Sequence, residues 1–333
     1  MAQIAVMGAG SWGTAFAIVL ADAGNTVHLW GRRAELCDAI NEKHENVDYL
    51  PGIELPEAIS ACPDPAVALE GADVVVLAVP SQQLRANLEQ WADAIPDTEI
   101  LVSLMKGVEL GTHNRMSEVI ADVTGADAGR IAVISGPNLA KEIALREPAA
   151  SVVACVDQDV AEYLQQLCHT RSFRPYTNTD VVGCELGGTT KNIIALAVGV
   201  CDGMGFGDNA KASVITRGLA ESVRLGLAMG ADPMTFAGLA GLGDLVATCS
   251  SPLSRNRTFG EKLGRGMSVE EIAAQTRQVA EGVKSCTSVA ELAAMNGVDM
   301  PLVGVVRELV EGRMTPEELV SAIVSRSTKP EVT

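Results

Sequence analysis

In the stretch ELGGTTKNIIALAVG, Lys191 stands among Gly187, Gly188, Ile193, Ile194 and Ala195, a single cation between small and apolar neighbours. Burial and a second cation nearby would each lower its pKa toward the range where an amine exchanges a proton with an alcohol. A side chain snorkelling to solvent is the alternative. A second lysine, Lys106 in LVSLMKGVE, directly follows an apolar run and precedes Gly107; by itself a solvated loop lysine explains it better. In ISGPNLAKE, Gly136 and Asn138 could meet a ligand with backbone or amide groups, or could simply form a turn. The segment GLAGLGDLVATCSSPLSRNRTFG combines one acid, Asp244, with Ser254-Arg255-Asn256-Arg257. A guanidinium, a hydroxyl and an amide so close together suit a phosphate monoester, although a solvated polar loop has the same composition and the glycines alternatively serve close helix packing. The four histidines, His28, His44, His113 and His169, lack metal-ligand spacing, and no G-x-S-x-G element is present. Acid–base work falls to lysine by elimination.

The amino terminus carries the other chemical signal. In VMGAGSWGTA, Gly8 would form a tight turn, Gly10 would let a pyrophosphate approach the backbone, and Gly13 would let a helix sit close to its strand. The helix amino terminus then offers free N–H groups and a positive dipole end. The competing reading is a strand running into a helix through small residues. An NAD-selective site usually places an acid at the end of the second strand; here the chain reads Gly31-Arg32-Arg33. Two guanidinium forks suit a 2′-phosphate better than a hydroxyl, so the site leans toward NADP, unless these are two solvated arginines.

These residues need a frame. A chain of 333 residues favours two domains with a cleft between them. Apolar runs at Ile4 to Met7, Ala72 to Val79, Glu99 to Leu104 and Ile131 to Ile134, with a strand-like Thr26 to Trp30, alternate with helical stretches such as Gly13 to Ala23. That alternation predicts a doubly wound parallel sheet, extended by Ala150 to Val156 and Phe173 to Asn178. After Asp180 the pattern becomes all helical, which sets the expected domains at 1–180 and 181–333. Helix starts are expected at Asp232-Pro233, Ser268-Val269-Glu270-Glu271 and Thr315-Pro316-Glu317-Glu318. Thr328 to Thr333 reads as a frayed tail.

Composition narrows the partners. A net charge of −17 repels phosphate backbones and anionic lipid heads, so neither nucleic acid nor a membrane surface is expected. The eight cysteines lie far apart without a C-x-x-C pair, so no metal or disulfide framework is expected. No signal peptide and no uninterrupted apolar stretch of about twenty residues is evident. A soluble, cytoplasmic protein is the expectation.

Taken in order, GAGSWGTAFA, AVPSQ, SLMKGVE, ISGPNLAKE, ELGGTTKN, GLGDL, SRNR and VAEG resemble the bacterial NAD(P)-dependent glycerol-3-phosphate dehydrogenases over nearly the whole chain. The resemblance implies an α/β fold, an N-terminal doubly wound Rossmann domain followed by an all-helical C-terminal domain. It also implies reversible hydride transfer between NAD(P)H and dihydroxyacetone phosphate, giving sn-glycerol 3-phosphate for phospholipid synthesis. By position, Lys191 matches the residue that exchanges the C2 hydroxyl proton, and Lys106 matches one touching both cofactor and substrate. Gly136, Asn138, Asp244, Ser254, Arg255 and Asn256 match substrate contacts. Ser11, Trp12, Arg32, Arg33, Ala140, Arg255, Val279 and Glu281 match cofactor contacts, beside Gly8, Gly10 and Gly13. Asn138 departs from the pattern, where a small hydroxyl residue often stands. The expected cofactor is NADP or NAD, with NADPH preferred, and the expected assembly is a homodimer. The alternatives are a related dehydrogenase of 3-hydroxy acids or sugar-acid phosphates, and a non-catalytic nucleotide sensor, which would not need Lys106, Lys191 and Asp244 together.

Overall fold

The computed structural model describes residues 1–95, 99–275 and 280–324; Val279 and the tail from Thr328 to Thr333 lie outside them. Eight strands form one sheet: β1 Gln3–Met7, β2 Thr26–Trp30, β3 Ile59–Cys62, β4 Val74–Leu77, β5 Ile100–Ser103, β6 Ile131–Ser135, β7 Ala149–Ala154 and β8 Phe173–Asn178. Their order is β3-β2-β1-β4-β5-β6-β7-β8. In β1, Ile4 and Val6 belong to the core on one face and Ala5 and Met7 to the core on the other, all fully buried. Burial on both faces is why the strand reads as one apolar run. The reversal of strand order beside β1 opens the crevice beyond the carboxyl ends of β1 and β4.

Two features differ from the expectation. β3 carries the sequence ISAC at the sheet edge, alternately buried and open, so no continuous apolar run announces it. And β7 pairs antiparallel with β6, so the sheet is not wholly parallel. The reason is the short link, in which residues 136–148 carry only the helix Ala140–Ala144. A parallel return needs a crossover long enough to traverse the sheet. β7 to β8 has such a crossover, the helix Gln158–Cys168, and pairs parallel.

Beyond β8 every regular element among the described residues is helical. The central helix, Val181–Gly203, begins where the Asp180 side chain accepts from Gly183 N at 2.8 Å. By length and composition it could cross a membrane, but Glu185 and Lys191 interrupt its apolar run and 94% of its apolar window is buried inside the protein. Helix Arg255–Gly264 packs on it with almost no side chain between: a Cβ on Gly260 would come 2.0 Å from the Leu196 carbonyl, and one on Gly199 2.0 Å from that of Arg257. The two capping boxes form as expected: Ser268 Oγ accepts from Glu271 N at 3.1 Å, and Thr315 Oγ1 from Glu318 N at 3.2 Å. Asp232 caps the helix Pro233–Ala237.

Candidate functional site

The loop after β1 leads into helix α1, Ser11–Asp22. Gly8 has φ +145° and a Cβ there would meet the Ala78 carbonyl at 2.4 Å; one on Gly13 would meet the Gly8 carbonyl at 2.0 Å. Gly10 is different, because its Cβ would meet no protein atom within 4 Å and would project from the wall of the cleft. No side chain caps α1 and no acid lies in its first turn, so its leading N–H groups remain available to an anion. Ser11 Oγ donates to the Tyr49 carbonyl at 3.1 Å, and the Trp12 indole nitrogen is buried without a partner. The donors, the dipole and the open side of Gly10 fit a dinucleotide pyrophosphate.

A cleft of about 660 Å³ runs from this loop to the helical half. Its wall includes Gly8, Gly10, Ser11, Trp12, Gly13, Arg32, Arg33, Lys106, Asn138 and Ala140 from the sheet side. Lys191, Ser254, Arg255, Asn256 and Glu281 complete it from the helical side. Gly136 and Asp244 stand behind the wall and act on residues in it. Arg32 is exposed, while Arg33 forms an ion pair with Asp48. That acid, absent from the end of β2, arrives from fifteen residues further along the chain. Glu281 opens the helix Glu281–Met295; burial raises its carboxyl pKa, opposed by Arg255, Lys106, Lys191 and the Ser81 N–H.

At the centre, Asp244 joins the two lysines. Its Oδ2 accepts from Lys106 Nζ at 2.5 Å and its Oδ1 from Lys191 Nζ. A π-helical turn, Leu239–Gly243, delivers Asp244 to this point at the start of the helix Asp244–Ser250, where it is 1% exposed. Lys191 Nζ also donates to Thr248 Oγ1 at 2.8 Å, and Thr248 donates to Asp244 Oδ1 at 3.2 Å. Burial lowers the Lys191 pKa to about 8, with Lys106 pushing the same way and Asp244 opposing. Lys106 Nζ donates as well to the Gly136 carbonyl at 3.1 Å. Asn138 Nδ2 donates to Ser151 Oγ at 3.0 Å, while its Oδ1 is buried with no partner, a cost of about 1–3 kcal/mol until a donor reaches it.

Ser254 caps the helix Arg255–Gly264, accepting from Arg257 N at 3.3 Å. Its hydroxyl proton remains for an anion, and the Arg255 guanidinium, whose charge acts on the buried Glu281 carboxyl, lines the cleft beside it. Arg257 turns away to Asp202 at 2.7 Å. The Asn256 amide is engaged structurally: Nδ2 donates to Asn192 Oδ1 and Oδ1 accepts from Gly282 N, both at 2.9 Å. Asn192, Thr248 and Asp48 were missing from the sequence-based set. Thr248 could have been found as the residue one helical turn beyond Asp244; Asn192 and Asp48 had no comparable signal.

An eight-stranded, mostly parallel sheet opening by its glycine turn onto a cleft shared with a helical half is the architecture of a dinucleotide-dependent oxidoreductase. Residues 3–161 match the model of the NAD-dependent glycerol-3-phosphate dehydrogenase N-terminus and residues 180–321 that of its C-terminus. The chain belongs to this family. Glycerol-3-phosphate dehydrogenase [NAD(P)+] of Streptomyces griseus is 66% identical over 99% of this chain and 98% of its own. The enzyme of the same name from Thermobifida fusca is 62% identical over 99% of each chain. The crystal structure of glycerol-3-phosphate dehydrogenase from Coxiella burnetii superposes with a TM-score of 0.93 at 37% identity, covering 98% of this chain and 99% of that one.

Proposed function

We propose that the protein catalyses reversible reduction of dihydroxyacetone phosphate to sn-glycerol 3-phosphate with NADPH or NADH, feeding glycerophospholipid synthesis, and that Lys191 is its acid–base residue. The observation that carries the reading is the pair of lysines bound to one buried aspartate at the inner end of a cleft that begins at the glycine turn. An ammonium has three protons. Asp244 and Thr248 take two from Lys191, which leaves the third for a substrate oxygen.

In the reductive direction, Arg255 and Ser254 hold the substrate phosphate at the start of their helix, where the dipole also favours an anion. The C2 carbonyl oxygen lies against Lys191. A bound reduced nicotinamide supplies the hydride that C2 receives. As charge develops on the oxygen, Lys191 gives it a proton and becomes neutral, and Lys106 stabilises the charge as a second cation. Asp244 fixes both ammonium groups, so little reorganisation is needed at the moment of transfer. In the oxidative direction neutral Lys191 takes the C2 hydroxyl proton, which a pKa of about 8 permits near neutral pH.

Residues 1–180 would hold the cofactor and residues 181–333 the substrate phosphate, with Arg32 and Arg33 favouring NADPH. Val279, one of the expected cofactor contacts, lies outside the described residues. We place the protein in the cytoplasm as a soluble homodimer, a state that light scattering on the purified chain checks directly. The test of the central reading is single-turnover reduction at saturating NADPH. Lys191→Ala should lose about 10²- to 10⁴-fold with NADPH affinity and melting temperature near wild type, and Lys191→Arg should not rescue. A near-normal rate in Lys191→Ala together with a lost rate in Lys106→Ala would reverse the two roles.

A further inference from the structure

The carboxamide of Asn138 can be placed two ways round, and the surrounding hydrogen bonds favour one. Ser151, on β7, is fully buried, and its Oγ donates to the Ser135 carbonyl at 3.0 Å. A hydroxyl has a single proton, so the same oxygen can then only accept. Asn138 Nδ2 meets it at 3.0 Å. Turning the amide would set Oδ1 against Ser151 Oγ, which could meet it only by giving up its hydrogen bond to the Ser135 carbonyl. Ser151 therefore fixes the amide, and Asn138 Oδ1 is left a buried acceptor without a partner, on a residue that lines the cleft. Gly136 belongs to the same unit: a Cβ there would come 3.1 Å from Ser151 Cα, and its carbonyl holds Lys106.

We infer that Ser151 is a positioning residue that makes Asn138 an acceptor for the C1 hydroxyl of the substrate, so that the site selects a 2-keto phosphate carrying a donor at C1. The inference rests on the reaction proposed above. With the phosphate on the helical wall and the carbonyl oxygen at Lys191, the end left to face the sheet wall is C1, and Asn138 stands on that wall at the end of β6. A methyl group at C1 leaves Oδ1 bare. A carboxylate there sets acceptor against acceptor. A hydroxymethyl group supplies the missing proton.

The test compares dihydroxyacetone phosphate with its 1-deoxy analogue, hydroxyacetone phosphate. Both take the same hydride from NADPH at C2 and the same proton on the carbonyl oxygen, giving a secondary alcohol and NADP. Wild type should favour dihydroxyacetone phosphate by about 10- to 100-fold in kcat/KM. Ser151→Ala frees the amide to turn and should reduce that ratio to a few-fold; Ser151→Thr, which keeps the hydroxyl, should restore it. Asn138→Leu keeps the volume without the acceptor and should bring the ratio close to unity, which decides the matter if Ser151→Ala does not fold. A merely structural role for Ser151 lowers both substrates alike, and an unchanged ratio in both alanine and leucine variants overturns the inference. So does an unchanged ratio in Asn138→Leu with a raised dissociation constant for NADPH, which would mean that Oδ1 faces the nicotinamide carboxamide. Wild type that reduces neither compound overturns the reaction itself and the inference with it, an outcome separate from the other two.

Discussion

Replacing Asp244 by asparagine keeps the shape of the site and removes one charge from between two ammonium groups. In the protein, burial drives the Lys191 pKa down and Asp244 is the group that resists, leaving it at about 8. A charge pair about 4 Å apart at an effective dielectric near 20 is worth about 4 kcal/mol, on the order of 3 pKa units. Asparagine still accepts a hydrogen bond and water relaxes around the pair, so a further fall of about 2 units is expected. With Lys191 as the proposed proton donor, reduction needs its protonated form, which exists below its pKa and is lost as pH rises through it. The wild-type rate of reduction should therefore decline above about pH 8, and that of the variant above about pH 6. At pH 7.5 the protonated fraction drops about 25-fold between those two values. The assay is kcat/KM for dihydroxyacetone phosphate followed by NADPH absorbance across pH, taken as the ratio of variant to wild type so that titration of the substrate phosphate cancels. A ratio that rises as pH falls from 7.5 to 5.5 supports the reasoning. A ratio that is the same at every pH refutes it, since Asp244 would then be holding geometry and not charge.

Arg255→Ala should lower kcat/KM for dihydroxyacetone phosphate by about 10- to 100-fold while unphosphorylated dihydroxyacetone changes little; an equal loss for both would mean that Arg255 does not read the phosphate. Asp48→Asn releases Arg33 from its ion pair and removes a negative charge beside the expected 2′-phosphate. Fluorescence titration should show NADPH binding about 2- to 5-fold tighter with NADH unchanged, and Arg32 and Arg33 changed together to alanine should weaken NADPH more than NADH. Equal shifts for the two cofactors would count against both statements. Gly260→Ala drives a Cβ to 2.0 Å from the Leu196 carbonyl, so the two helices must separate. Overpacking of about 1–3 kcal/mol should lower the melting temperature by several degrees, and an unchanged melt would show that the close contact is not maintained in solution.

Much of this protein is legible along the chain because its signals are local. The glycines of the first turn, the buried strands and the capping boxes at Ser268 and Thr315 each depend on residues within a few positions of one another. They appear in the structure where the pattern put them. β3 escaped because four residues at a sheet edge carry no continuous apolar run, and the antiparallel β7 escaped because strand direction depends on whether the link can traverse the sheet. The site divides the same way. Lys106, Lys191 and Asp244 could each be picked out by type and neighbours, yet nothing in sequence says that one carboxylate serves both lysines, 138 and 53 residues away. That arrangement follows from the glycines of the central helix and from the π-helical turn before Asp244, which let helices and turn approach until the charged groups share a buried volume. Asp48 on Arg33 and Ser151 on Asn138 are of the same kind. The sequence by itself determined which groups are available and which elements carry them. Only tertiary structure decided their pairing, and with it the proton affinity of Lys191, because the desolvation and Coulomb forces that set a pKa depend on distance in space and not along the chain.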